Sequence, residues 1–206
     1  MLATFREILA LNDEDGVEFD ADALRIDRLR EQLDYGGLRL RTTAAISGAR
    51  IRLTIDIAFG DALEPGTEIL DYPSMLAFPA PRLRVYARET VIAEKFQAMV
   101  TLGLANSRMK DFYDIWILSK SFEFDGDRLA RAIAATFARR QTAIPVDLPD
   151  ALTPAFANDE QKQRQWSAFV SDVSASPGSL EKVVGHLAEF LMPHAGRARR
   201  VTHFKN

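Results

Sequence analysis

Apolar and polar positions follow two different rhythms along this chain. Leu2, Phe5, Ile8 and Leu9 recur at helical spacing and predict a short helix over residues 2–11. The run Asn12–Gly16 reads as a turn, Val17–Phe19 as a short strand, and Ala21–Leu33 as a helix with Leu24, Leu29 and Leu33 apolar and many charges between. From residue 36 the period becomes two. Gly37–Thr42 alternates, Ser47-Gly48-Ala49 makes a turn, and Arg50–Phe59 alternates again. Ile51, Leu53, Ile55, Ile57 and Phe59 then share one face, and Arg52, Thr54, Asp56 and Ala58 the other.

Prolines 65, 73, 79 and 81 break the next stretch, in which Thr67–Asp71 and Leu83–Tyr86 are candidate strands. After Tyr86 the helical period takes over, at about 89–103, 108–120, 126–140, 159–173 and 179–192. Between them Ile144–Pro154 reads as a linker that wraps the core, and Gly196–Arg200 as the start of a disordered basic tail. The pattern predicts an α+β protein with a sheet region over 1–86, a helical region over 87–194, and a tail over 195–206.

The net charge of −3 gives no basic footprint over the whole molecule, so any nucleic-acid partner must meet a local patch. There is no cysteine, which excludes disulfides and thiolate metal sites. His186, His194 and His203 lack ligand spacing. No apolar run reaches the ~18 residues of a membrane span, and the N-terminus does not read as a signal peptide. A cytoplasmic location is expected.

Charge enters the apolar pattern at a few places. With Ile92 as reference and about 100° per residue, Phe96, Met99 and Gly103 form a buried stripe. Lys95 lies about 60° to its side and Glu94 points away. Lys95 can therefore snorkel to solvent, the simpler reading, or reach over a neighbouring element. On the next helix Phe112, Ile115, Trp116 and Ser119 face inward, with Asp111 and Asp114 together on one side and Lys110 four residues before Asp114. A surface ion pair, or carboxylates that hold a metal-bound phosphate or orient an attacking hydroxyl, both fit that spacing. Asp56 sits mid-strand, where carboxylates are disfavoured. It answers either to an arginine on the same sheet (Arg39, Arg41 or Arg52) or to metal ligation or base catalysis. Arg82, Arg84, Arg88, Arg108 and Lys110 could make a basic surface, and Arg139-Arg140 a solvated pair.

The words IDIAFGDAL, DYPSML and PAPRLRVYARETVIAEKFQAMVTLGLANSRMKDFYDIW resemble the AbiEii/AbiGii nucleotidyltransferase toxin family, a branch of the polymerase-β-like nucleotidyltransferases. The resemblance spans roughly residues 10–192. It implies the C-terminal part of a nucleotidyltransferase-type mixed sheet followed by helices. It also implies transfer of a nucleotidyl group from an NTP to an acceptor hydroxyl on RNA or tRNA, with Mg²⁺ as cofactor. A toxin–antitoxin or phage-defence role and an antitoxin encoded nearby come with it.

Carried over by residue, Asp56 resembles the third carboxylate of the sheet and a metal ligand, Lys95 the helix lysine near the triphosphate, and Asp111 an acidic position of the last motif. Arg108, Lys110 and Asp114 join Lys95 as substrate-binding positions. The chain departs from the family pattern in one respect. The glycine turn, helix and strand bearing Asp-x-Asp do not occur. Gly36-Gly37 is followed by no such strand, and the triplets at 13–15, 20–22 and 125–127 sit in turns or at helix starts. A chain lacking the family's first segment is expected, either as a truncated enzyme or as an inactive nucleotide-, RNA- or antitoxin-binding remnant. Self-association through an uncovered sheet edge is expected with it.

Overall fold

The computed structural model describes residues 1–11, 15–29 and 36–203. They form two units, Met1–Asp61 and Ala62–Asn206. The division falls before the Thr67–Asp71 and Arg82–Tyr86 strands, not at residue 86 as the pattern suggested.

The first unit holds helix α1 (Leu2–Leu9) and strands β1 (Val17–Phe19), β2 (Arg25–Leu29), β3 (Gly37–Ile46) and β4 (Ala49–Ala58). Strand β3 is the organiser. It pairs antiparallel with β4 along its whole length, and with β1 and β2, end to end, on its other side. The β3–β4 hairpin turns at Ser47 and Gly48, both with positive φ, so a glycine is needed at the second position. Directly opposed residues share a face, so Leu38, Leu40, Thr42 and Ala44 stand beside Ile57, Ile55, Leu53 and Ile51. Leu24, Leu40, Thr42 and Ala44 are buried, while Ile51 and Ile55 stay exposed.

The helix expected over Ala21–Leu33 is instead β2 as far as Leu29; residues 30–33 lie outside the described part. The cause is local and tertiary. Asp20 Oδ1 accepts from the Asp22 and Ala23 amides and turns the chain. The Asp20 amide donates to the Thr43 carbonyl and the Thr42 hydroxyl to the Asp20 carbonyl, which feeds the strand onto β3. Sheet pairing then overrides the charged pattern, with Asp27 bridging to Arg41 at 2.8 Å.

The second unit opens with an antiparallel hairpin, β5 (Thr67–Asp71) and β6 (Arg82–Tyr86). All described strand pairs are antiparallel, where a mixed sheet was expected. Five expected helices follow in order, α2 (Arg88–Leu102), α3 (Met109–Ser121), α4 (Gly126–Arg139), α6 (Glu160–Val170) and α7 (Leu180–His203), with 3-10 turns at Gly103–Ala105 and Asp150–Leu152 and a short unexpected helix α5 (Pro154–Ala157) between them. Asp125, Thr153 and Asp159 cap α4, α5 and α6 with their side-chain oxygens, which explains why those helices start where they do. Helix α4 packs on both α2 and α7. Ile92, Phe96, Met99, Phe112, Ile115, Ile133, Phe137, Phe156 and Leu187 are fully buried in one core. Phe96 meets Phe137 at 5.4 Å and Phe112 stacks on Phe156 at 5.2 Å.

Helix α7 does not stop before Pro193 but carries Pro193 inside it. Leu191, Ala195 and Ala198 continue its buried stripe, and that burial outweighs the lost amide. The segment expected as a disordered basic tail is therefore helical through His203. Arg199 donates to the Pro145 carbonyl, and Arg197 lies against Gly126. Arg140, expected in solvent, donates to Gln97 Oε1 at 2.9 Å and lies 3.6 Å from Glu94, which is half-buried rather than exposed. No helix among the described residues is long and apolar enough to cross a membrane.

Two histidines set the pH response of this unit. His186 shares a 2.8 Å hydrogen bond with Ser119 Oγ, and His194 approaches the Gly126 backbone. Burial is the largest cause and lowers both imidazole pKa values below the ordinary range; Lys120 adds to it at His186, while at His194 the Gly126 hydrogen bond opposes it and Arg197 adds to it. The unfolded chain then binds protons more readily than the folded one. Stability is fully present above about pH 6.5 and falls as the pH drops from there through the folded values. The expected result is a lower melting temperature at pH 5 than at pH 7.5, with the difference reduced in His186→Gln/His194→Gln. Equal pH sensitivity in that variant would assign the effect elsewhere.

Candidate functional site

Helices α2 and α3 bring together most of the residues singled out above. The buried stripe of Ile92, Phe96 and Met99 fixes the rotation of α2, and Met109, Phe112 and Ile115 fix that of α3. Lys95 is thereby aimed at the acidic side of α3. Its Nζ donates to Asp111 Oδ1 at 2.6 Å and lies 2.9 Å from Asp114 Oδ2. Lys110 also pairs with Asp114, at 2.5 Å, and Arg108 lies 3.9 Å from Asp111 Oδ2. Lys95, Asp111 and Asp114 expose only 20%, 13% and 19% of their side chains, whereas Arg108 and Lys110 expose 51% and 70%. Lys95 does not snorkel; it is the inner cation of a network whose outer cations face solvent.

Burial is the largest influence on the Lys95 ammonium and lowers its pKa. The hydrogen bonds and charges of Asp111 and Asp114 together outweigh it, so the pKa is raised and Lys95 is a cation throughout the physiological range. An ammonium has three donors. Asp111 and Asp114 engage two, and the third has no partner among the described residues.

The connection before α3 is held by residues that the sequence did not single out. Asn106 is fully buried, and its Oδ1 accepts from the Arg108 amide. Lys162, from α6 and also buried, donates to the Asn106 carbonyl at 2.8 Å. Asn106 ahead of a helix start is a legible capping signal. Lys162 lies 56 residues away and carries no local signal. Beside this connection runs a groove of about 560 Å³, with Ser107, Arg108, Lys110 and Asp111 on one side and Gln165 and Phe169 on the other. Arg108 and Lys110 put two exposed cations on this groove, and Asp111 a carboxylate.

A family model described as nucleotidyl transferase AbiEii toxin, Type IV TA system, matches residues 1–185. The chain belongs to the AbiEii toxin family. It is thus a member of a family of nucleotidyl transferase toxins from toxin–antitoxin systems. None of the curated proteins compared with it matches.

The AbiEii resemblance also pointed to Asp56, which stands in the other unit. Asp56 faces Arg39 directly across the β3–β4 ladder, and both its oxygens accept from that guanidinium at 2.7 Å. The Asp56 hydrogen bond, then its charge, raises the Arg39 pKa further. The simpler of the two readings of this mid-strand carboxylate is therefore realised. The Asp-x-Asp triplets serve local structure where they are described: Asp20 makes a turn, and Asp125 caps α4. Asp13 and Glu14 lie outside the described residues.

These carboxylates do not fit a magnesium ion. Asp56 faces an arginine, and Asp111 and Asp114 face lysines. Among the described residues no group of three or more acidic or histidine side chains could hold a metal. Arg82 and Arg88, expected on the same basic surface, are engaged elsewhere. Arg88 covers the Phe122 ring at 3.7 Å, and Arg82 lies 3.9 Å from Asp71.

Proposed function

We propose that the α2–α3 cluster binds the phosphates of a nucleoside triphosphate, and that the protein transfers the nucleotidyl group to an acceptor hydroxyl on RNA. The observation that carries the reading is Lys95: a partly buried cation oriented by two carboxylates, with its third donor left over. Two carboxylates hold the ammonium still, so no reorganisation is needed when charge develops on a phosphate oxygen. Arg108 and Lys110 supply exposed cations that meet the incoming anion. Membership of the AbiEii family supplies the reaction class. In it the acceptor hydroxyl loses its proton, its oxygen bonds to the α-phosphorus, and the bond to pyrophosphate breaks.

The direct test mixes the purified chain with RNA and each α-labelled NTP in turn. Label entering RNA supports the reading; its absence under all four nucleotides, with and without added divalent ions, speaks for the second one. That second reading is a nucleotide- or RNA-binding protein of the same family without turnover. The Arg39–Asp56 pair favours it, because a family carboxylate is there engaged by a cation.

The role of Asp56 is separable by substitution. Asp56 is half exposed, so Asp56→Asn is expected to leave the melting temperature within about 2 °C. With Asp56 held by Arg39 and outside the α2–α3 cluster, the substitution is expected to leave transfer unchanged as well, and a loss of transfer would give Asp56 the role of the family's third carboxylate. Unchanged transfer would assign Asp56 to the hairpin alone.

A further inference from the structure

The β5–β6 hairpin exposes an unusual amount of apolar surface for its size. Every residue of β5 is exposed, including Ile69 at 66%. Along the same arm Leu70, Leu83 and Tyr86 are exposed, and in the connecting loop Met75 and Leu76 are 100% and 70% exposed. A lone two-stranded hairpin is marginal in water, and an exposed apolar edge strand is a template for another strand. The base of the arm is fixed, since Glu68 pairs with Arg128 at 2.8 Å.

The free edge of β5 has a definite chemistry. The Tyr72 amide donates to the Pro81 carbonyl, so Tyr72, Leu70 and Glu68 direct their backbone groups toward β6. By alternation Thr67, Ile69 and Asp71 direct theirs outward. Apart from the pairing with β6, no backbone hydrogen bond of β5 is found among the described residues.

We propose that a second copy of this chain covers that edge, through antiparallel pairing of β5 with its symmetry mate. Centred on Ile69, the pairing opposes Ile69 with Ile69, Thr67 with Asp71, and Glu68 with Leu70. Outward-directed residues then meet only outward-directed residues, as the ladder requires, and no like charges oppose each other. The equivalent pairing through β6 places Arg84 on Arg84, a like-charge clash that excludes it. The product is a four-stranded sheet, β6–β5–β5–β6, with a twofold axis at Ile69.

Sedimentation of the full chain over a concentration series tests this. Wild type is expected to dimerise, and Ile69→Lys, which brings two ammonium groups onto the axis, to weaken the dimer at least about thirtyfold. Arg84→Ala is expected to leave it intact. Position 69 is exposed, so at concentrations where wild type is monomeric both variants should melt like it. A wild type that stays monomeric overturns the proposal. So does a dimer that survives Ile69→Lys, or one that dissociates only on Ile51→Lys in the exposed face of β4. Association that requires added RNA would assign the arm to nucleic acid instead and equally overturns it.

Discussion

Replacing Lys95 with methionine is expected to lower nucleotidyl transfer at least about a hundredfold, the scale for removing one preorganised donor at a developing charge. The same change should also destabilise the fold. It leaves Asp111, 13% exposed, with only Arg108 at 3.9 Å, while Asp114 keeps Lys110. Breaking a fully buried pair costs about 3–5 kcal/mol; with a fifth of Lys95 exposed the expectation is about 1–3 kcal/mol. Adding Asp111→Asn removes the unpaired charge and should recover most of that stability without recovering transfer. Urea unfolding and the label assay measure the two effects separately. If stability and transfer recover together, the cluster is structural.

The second large effect is in the core beneath the site. Phe112 is fully buried, follows Asp111, and stacks on Phe156 with 14° between the rings. Phe112→Ala is expected to destabilise the protein by about 3–5 kcal/mol, from lost burial and the cavity left behind. That is a large share of the ~5–15 kcal/mol that holds a domain folded. A loss below about 1 kcal/mol in urea unfolding would mean that the stack does not anchor α3.

The helix pair was legible in the sequence because its information is local. The spacing of Ile92, Phe96 and Met99 and of Phe112 and Ile115 sets two rotations, and the rotations set where Lys95 and Asp111 point. The β3–β4 hairpin was legible for the same reason, down to Arg39 as a candidate partner of Asp56. The failures occur where distant residues decide. Strand β2 carries a charged pattern that reads as a helix until β3 offers it a ladder. Helix α7 passes Pro193 because Ala195 and Ala198 have a core to fill. Lys162 reaches Asn106 only in the folded state, so no window of sequence shows it. The groove beside α3 was missed on the same ground, since Gln165 and Phe169 arrive from α6.

The central claim is that the α2–α3 ion network exists for a phosphate ligand. Calorimetric titration of the chain with each NTP, repeated with Lys95→Met/Asp111→Asn, tests it most directly. Binding by the wild type is expected, with at least about tenfold weaker affinity in the variant, which urea unfolding should show to be folded. Equal NTP affinity in the two proteins would contradict it.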